Sequence, residues 1–249
     1  MRKKNKVLII IPARGGSKRI KNKNIKIFVD RPLIEHTISY AHKNIDLVSR
    51  ILVSTDSLKI QKIANNFKKE LSPFLRPKNI SNSASSDYGF VKHALNWLKS
   101  KEKFIPNIII ILRPTSPLRN KDLLKKMLNQ FLIKKFSSLR SARNVGHMNP
   151  FWMYKISKEK KLIETIKNKS FFKYYQSQML PDFYKHDGYC DIFLSKNLDI
   201  KSPNEPLRKL YGYNMNFYIN NDPFLLNIDT QHEFKMGELI YKDNKKNYV

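Results

Sequence analysis

Two uninterrupted apolar runs, Val7-Leu-Ile-Ile-Ile11 and Ile108-Ile-Ile-Ile-Leu112, constrain this chain more than any other feature. A run without polar alternation reads as a strand covered on both faces, the situation of a parallel sheet between helical layers. Each run ends at a proline-containing polar loop, Pro12 with Ala13–Asn24 in one case and Arg113-Pro-Thr-Ser-Pro-Leu-Arg119 in the other. A third strand, Ile51-Leu-Val53, lies between them, and a short one is expected near Ile27–Val29.

Helical patterns separate these strands. Arg31-Pro32 opens a helix with Leu33, Ile34, Thr37, Ile38 and Ala41 on one stripe, proline suiting its first turn. Ser54-Thr-Asp56-Ser57 offers cap chemistry to a helix through Phe67, with Asp56 either its cap or a site residue. A third helix is expected from Asp87, read as its cap, to Lys99, burying Phe90, Val91, Ala94, Leu95 and Leu98. Further helices are expected over Lys121–Ile133 and Gln231–Tyr241, a strand at Asp191–Leu194, and regular structure again over Tyr211–Ile219. Strand–helix alternation predicts an α/β, Rossmann-like, mostly parallel sheet flanked by helices. Ligands of such sheets sit beyond the carboxyl ends of the strands, which points to the loops at 13–24, 54–57 and 113–119.

The 249 residues suit a single domain, 1–249. The pattern weakens over about 144–184, where pieces such as Phe151-Trp-Met-Tyr154 suggest a small inserted subdomain seeking a partner surface. Cys190 is the one cysteine, placed in an apolar strand and read as core; no disulfide can form within the chain, which suits a reducing compartment. The basic start, Met1–Lys6, precedes an apolar run too short for a signal peptide or a membrane span, so a cytoplasmic protein with no membrane partner is expected. The formal charge of +28 would favour polyanions. Lysine is spread through nearly every segment, however, and no nucleic-acid-binding motif is present, so no nucleic-acid partner is expected.

The segment richest in chemistry is Ile11-Pro-Ala-Arg-Gly-Gly-Ser-Lys-Arg-Ile-Lys-Asn-Lys-Asn24. It follows a buried strand, has adjacent glycines for close backbone approach, and concentrates Arg14, Lys18, Arg19, Lys21 and Lys23. A triphosphate needs such a loop, although a solvated basic loop would look the same. It is neither a Walker A loop nor a G-x-G-x-x-G turn. Ser17, Ser54 and Ser85 lack a His/Asp partnership, and the histidines show no metal-ligand spacing.

This segment resembles the opening motif of the acylneuraminate cytidylyltransferase family. The resemblance continues through Ile51-Leu-Val-Ser-Thr-Asp56, Leu75-Arg-Pro77, Ser83-Ala-Ser-Ser86, Leu112–Arg119, Asp187-Gly-Tyr-Cys-Asp-Ile192 and Asn227-Ile-Asp-Thr230. It implies a fold of the nucleotide-diphospho-sugar transferase type, CTP or another nucleoside triphosphate and an acidic sugar as substrates, Mg²⁺ as cofactor, and a homodimer formed through the insertion. By that resemblance Arg14 and Lys23 are catalytic, and the nucleotide is bound by Ala13, Arg14, Gly15, Lys18, Lys23, Asn24, Arg76 and Ser86. Arg113, Thr115, Ser116, Asp187 and Gly188 match the sugar side; Asp229 and Asn227 match the metal pair.

The chain departs from the family pattern in places. Asn227 stands where an aspartate is usual, Arg113 where a sugar-contacting glutamine is usual, Asp187 where asparagine is usual, and Ser177 where a partner-contributed arginine is expected. The expected reaction is in-line transfer of CMP from CTP to a nine-carbon α-keto acid sugar. Transfer with GTP and a hexosamine phosphate, or a non-catalytic nucleotide-binding relative, remain as alternatives.

Overall fold

The structure is a computed structural model and describes residues 5–166, 173–202, 205 and 207–248. In chain order the elements are β1 (Val7–Pro12), β2 (Ile27–Phe28), β3 (Arg31–Pro32), α1 (Leu33–Lys43), β4 (Arg50–Ser54), α2 (Leu58–Phe67), α3 (Asp87–Trp97), β5 (Ile108–Ile111) and α4 (Leu123–Lys134). Then follow β6 (Ser138–Asn144), β7 (Tyr154–Ile156), β8 (Leu162–Glu164), β9 (Tyr184–Leu194), α5 (Arg208–Tyr211), β10 (Met215–Ile219) and α6 (Gln231–Asp243).

The main sheet has the order β10-β6-β9-β5-β1-β4. β1 runs parallel to both neighbours, Ile9 lying opposite Ile51 of β4 and Ile110 of β5. Its side chains alternate between two cores. Ile9 and Ile11 join Ile38, Val53, Ile110 and Phe131 on the side of α1, α2 and α4. Leu8 and Ile10 join Leu52, Phe90, Val91, Phe193 and Tyr211 on the side of α3 and α5. Every one of the run Leu8–Ile11 is fully buried, and each such side chain contributes about 1.5–3 kcal/mol by leaving water. That double burial is why the run carries no polar alternation.

The pairs β1–β4, β1–β5 and β6–β10 are parallel, so the sheet is mostly parallel as expected, and β9 alone runs antiparallel to its neighbours β5 and β6. Only the end of β9, Asp191–Leu194, was legible as a strand. Its polar start, Tyr184–His186, pairs by backbone with β6 beyond a bulge between Arg140 and Ala142, and backbone pairing leaves no hydrophobic signature. The regular structure expected over Tyr211–Ile219 divides in two: Tyr211 closes α5, Gly212 follows at φ 70, and β10 starts at Met215.

The chain leaves the sheet at Asn144 and rejoins it at Tyr184, with the antiparallel pair β7–β8 between. Residues 167–172 of this excursion lie outside the described residues. A third cluster, in which Phe28, Leu33, Ile228, Phe234 and Tyr241 meet, docks α6 beside β2 and α1. It brings the end of the chain to the loop that follows β1. No helix among the described residues is long and apolar enough to cross a membrane.

Candidate active site

A cleft of about 470 Å³ opens beyond the carboxyl ends of β1, β4 and β5. Of the residues singled out in the sequence, Arg14, Lys18, Lys23, Asn24, Arg76, Ser86, Arg113, Thr115 and Asp229 line it. Residues 215 positions apart, Arg14 and Asp229, thus share one cavity.

The basic loop is held by its backbone. Ala13 N donates to Ser54 O at 3.0 Å, and Gly15 N donates to Asp56 Oδ1 at 2.8 Å. A Cβ on Gly15 would stand 2.9 Å from Ser57 Cβ, so only glycine lets the loop lie against the start of α2. Asn24 Nδ2 donates to Arg14 O at 2.9 Å and joins the two ends of the loop. Lys23 crosses to the far end of the chain, donating to Ile228 O at 2.7 Å and Asp229 Oδ1 at 2.9 Å. Asp229 is placed by a capping box at the start of α6: Glu233 accepts from the backbone of Asp229 and Thr230 while Thr230 Oγ1 accepts from Glu233 N. Arg14 and Lys18 form no ion pair among the described residues, which leaves their charges available to an anion.

Arg76 is buried at the cleft wall, donating to Ser54 Oγ and O and lying 5.0 Å from the Phe90 ring centroid. Burial lowers its pKa to about 10, with Asp56 and Asp87 pulling the other way, so it stays charged at neutral pH. Ser86 precedes α3 with no side-chain cap bond, and a helix N-terminus favours negative charge.

Arg113 does not present a free fork. One terminal nitrogen donates to Asp191 Oδ2 at 2.6 Å and the other makes a very short contact with Asp87. Burial alone would lower the Arg113 pKa, but the two carboxylates outweigh it and raise it. Asp191 is fully buried; burial pushes its pKa up, yet Arg113, His186 and Arg140 together hold it well below the usual carboxylate range. Arg140 Nε and His186 Nε2 each lie 2.9 Å from Asp191 Oδ1.

Ala13, Gly15, Ser116, Asp187, Gly188 and Asn227 are not on the cleft wall. The amides of Ala13 and Gly15 are taken by Ser54 and Asp56, as above. Asp187, expected beside the sugar, is buried and accepts from Ser141, Tyr189 N and Asn220 because it braces the bulge of β9 against β6 at Gly188, whose φ is 77. Asn227, expected as a metal ligand, has both amide atoms engaged: Oδ1 accepts from Ser116 Oγ at 2.5 Å and Nδ2 donates to Asp187 O at 2.6 Å. Ser116 is fully buried in that contact. Among the described residues no three or more His, Cys, Asp or Glu converge on one point. Asp229 alone offers a carboxylate from the expected pair, which fits a Mg²⁺ completed by triphosphate oxygens, since Mg²⁺ commonly takes one or two carboxylates and keeps its remaining ligands from substrate and water.

Sequence reasoning missed the partners rather than the places. Asp56 braces Gly15, while Ser57 caps α2 by accepting from Ile60 N. Asp87 pairs with Arg113 instead of capping α3, and Phe90 forms cleft wall as well as core. Their positions at strand ends were visible; the residues they meet are 26 and 41 positions away.

Fold and site define an α/β protein whose mixed six-stranded sheet brings a cationic loop and a distant carboxylate into one cleft. The chain belongs to the cytidylyltransferase family, whose model matches residues 8–241. It is 38% identical over 127 residues to a pseudaminic acid cytidylyltransferase of Campylobacter jejuni, covering 51% of this chain and 53% of that protein. Over 117 residues it is 35% identical to an N-acylneuraminate cytidylyltransferase of Escherichia coli, covering 47% of this chain and 26% of the relative. The chain thus spans about half the length, or less, of these relatives. A flagellin modification protein B of Campylobacter coli matches over 241 residues, 96% of each chain, at 29% identity. Among solved structures, a CMP:2-keto-3-deoxy-manno-octonic acid synthetase complexed with CTP superposes with a TM-score of 0.67 over 96% of this chain and 99% of that one, at 16% identity, a likeness of fold.

Proposed function

We propose that the chain transfers CMP from CTP to an acidic nine-carbon α-keto sugar of the sialic acid type and releases pyrophosphate. The observation that carries this reading is the meeting of Arg14, Lys23 and Asp229 in one cleft, although the loop and the carboxylate come from opposite ends of the chain. Family membership favours cytidine as the base, and the relatives named for pseudaminic acid and N-acylneuraminate favour the sugar class.

The anomeric hydroxyl of the sugar attacks the α-phosphorus, the bond from phosphorus to the pyrophosphate oxygen breaks, and the hydroxyl proton passes to solvent. Such a transfer depends on positioning and charge rather than on a covalent protein intermediate. Arg14, Lys18 and Lys23 neutralise charge growing on the phosphates, while Arg76 and Ser86 hold the nucleoside side. Arg113, pinned by Asp87 and Asp191, and Thr115 border the sugar. Ser116, Asp187, Gly188 and Asn227 shape that border from behind. Mg²⁺, held by Asp229 with triphosphate oxygens, would supply further charge neutralisation when bound.

The segment 144–184 exposes Met148, Ile156, Ile163, Tyr175 and Met179, an apolar surface that suits a second copy of the chain. Pyrophosphate release measured with each of the four nucleotides against a panel of sugars, with and without Mg²⁺, tests the reading. Release with CTP and a sialic-type acid is expected. Release only with GTP and a hexosamine phosphate, or nucleotide binding with no release from any pair, would overturn it.

A further inference from the structure

Lys23 meets the C-terminal segment as a metal ion would. Its ammonium lies 2.7 Å from the carbonyl oxygen of Ile228 and 2.9 Å from Asp229 Oδ1. These are hard oxygen donors of the kind that divalent cations select. The lysine is buried, whereas the Asp229 carboxylate is half exposed with Arg19 Nη1 3.7 Å from its other oxygen. The remaining candidate ligand, Asn227, is tied at both ends by Ser116 and Asp187. A divalent ion approaching the nucleotide-free chain therefore meets one carboxylate, already paired, and two neighbouring cations. Mg²⁺ surrenders water reluctantly and cannot compete for such a seat.

We infer that Lys23 is a built-in counter-cation that closes Asp229 to divalent ions until a nucleoside triphosphate enters, so that the metal arrives with the nucleotide instead of residing in the free protein. The inference rests on the proposed function, which makes a triphosphate the incoming ligand. Incoming phosphates offer Lys23 another anion, release Asp229, and bring the additional oxygens that a divalent ion requires. Metal and nucleotide then raise each other's affinity by the same factor, as linkage demands.

Mn²⁺ is the probe, followed by the magnetic resonance signal of the free ion and by calorimetry. The nucleotide-free chain is expected to show no micromolar Mn²⁺ binding that Asp229→Asn abolishes. Lys23→Met is expected to tighten Mn²⁺ binding at least about tenfold, within the usual range for coupled sites, and adding Asp229→Asn to it is expected to remove the gain. Lys23→Gln serves as a second variant, since Lys23 is buried, and circular dichroism checks that each chain is folded. With a methylene-bridged CTP analogue the unaltered chain is expected to take up more Mn²⁺ than the analogue does alone.

Micromolar, Asp229-dependent Mn²⁺ binding by the unaltered nucleotide-free chain overturns the inference whether or not either variant folds. So does a folded Lys23 variant whose Mn²⁺ affinity is unchanged. Failure of the analogue to bind at all would instead count against the proposed function, and the titrations of nucleotide-free chains would still decide the role of Lys23.

Discussion

Arg113 and Asp191 are joined across neighbouring antiparallel strands, Nη1 of the one lying 2.6 Å from Oδ2 of the other at the carboxyl end of β5. The carboxylate is fully buried and is shared with Arg140 and His186, while the arginine reaches on to Asp87 at the first residue of α3. This side of the cleft wall is thus fixed to the sheet through a charge network, in addition to the apolar packing of Phe90.

Asp191→Asn should leave two largely buried guanidinium groups without their common counter-charge. Breaking such a pair costs about 3–5 kcal/mol, which denaturant unfolding would register. The pH dependence has a definite sign. The folded-state pKa lies below the unfolded value of about 3.9, so the stabilisation is present above that value and is lost as pH falls toward the folded one. The unaltered chain should lose stability more steeply than the variant below about pH 4.

His36 should make the protein sensitive to milder acid. Burial lowers its pKa from 6.5 to about 4, outweighing the Phe28 carbonyl and Asp30, and its Nδ1 has no hydrogen-bond partner. The unfolded chain binds the proton first, so stability is full above about 6.5 and declines as pH falls toward about 4, by on the order of 3 kcal/mol in total. His42 and His93 are also lowered by burial and act in the same direction. His36→Phe, which keeps a ring against Phe28 and Tyr241, should flatten unfolding curves collected across this window.

Arg14 lines the cleft, and its side chain makes no hydrogen bond or ion pair among the described residues. Arg14→Ala should therefore leave the melting temperature nearly unchanged. Loss of one donor to a developing negative charge costs about 3 kcal/mol, so turnover should fall at least about a hundredfold in a pyrophosphate-release assay. Near-normal turnover would remove Arg14 from the chemistry.

Gly15→Ala tests the seat of the loop. The added methyl would stand 2.9 Å from Ser57 Cβ, and relief of that clash must lengthen the bond from Gly15 N to Asp56. A hydrogen bond to a charged group is worth about 1.5–3 kcal/mol, so nucleotide affinity should weaken by about tenfold or more in calorimetric titration. Asp56→Ala should have a similar effect without a steric cause, which separates the lost bond from the added bulk.

Much of this was legible from the order of residues. The runs at Val7 and Ile108 can only be strands covered on both faces, because a polar side chain at Leu8–Ile11 would meet one core or the other. Local rules also located α2, α6 and the cationic loop, since capping and glycine placement act over a few positions. Tertiary structure decided the direction of β9, whose polar half pairs through backbone groups that every residue carries alike. It also decided partners. Lys23 reads as a free cation and Asp229 as a free ligand until the third core cluster brings them within 2.9 Å, and Arg113 reads as an open fork until Asp87 and Asp191 fill it. Local sequence specifies conformation over one or two turns, whereas the pairing of charges many tens of residues apart exists only after the sheet and helices have packed.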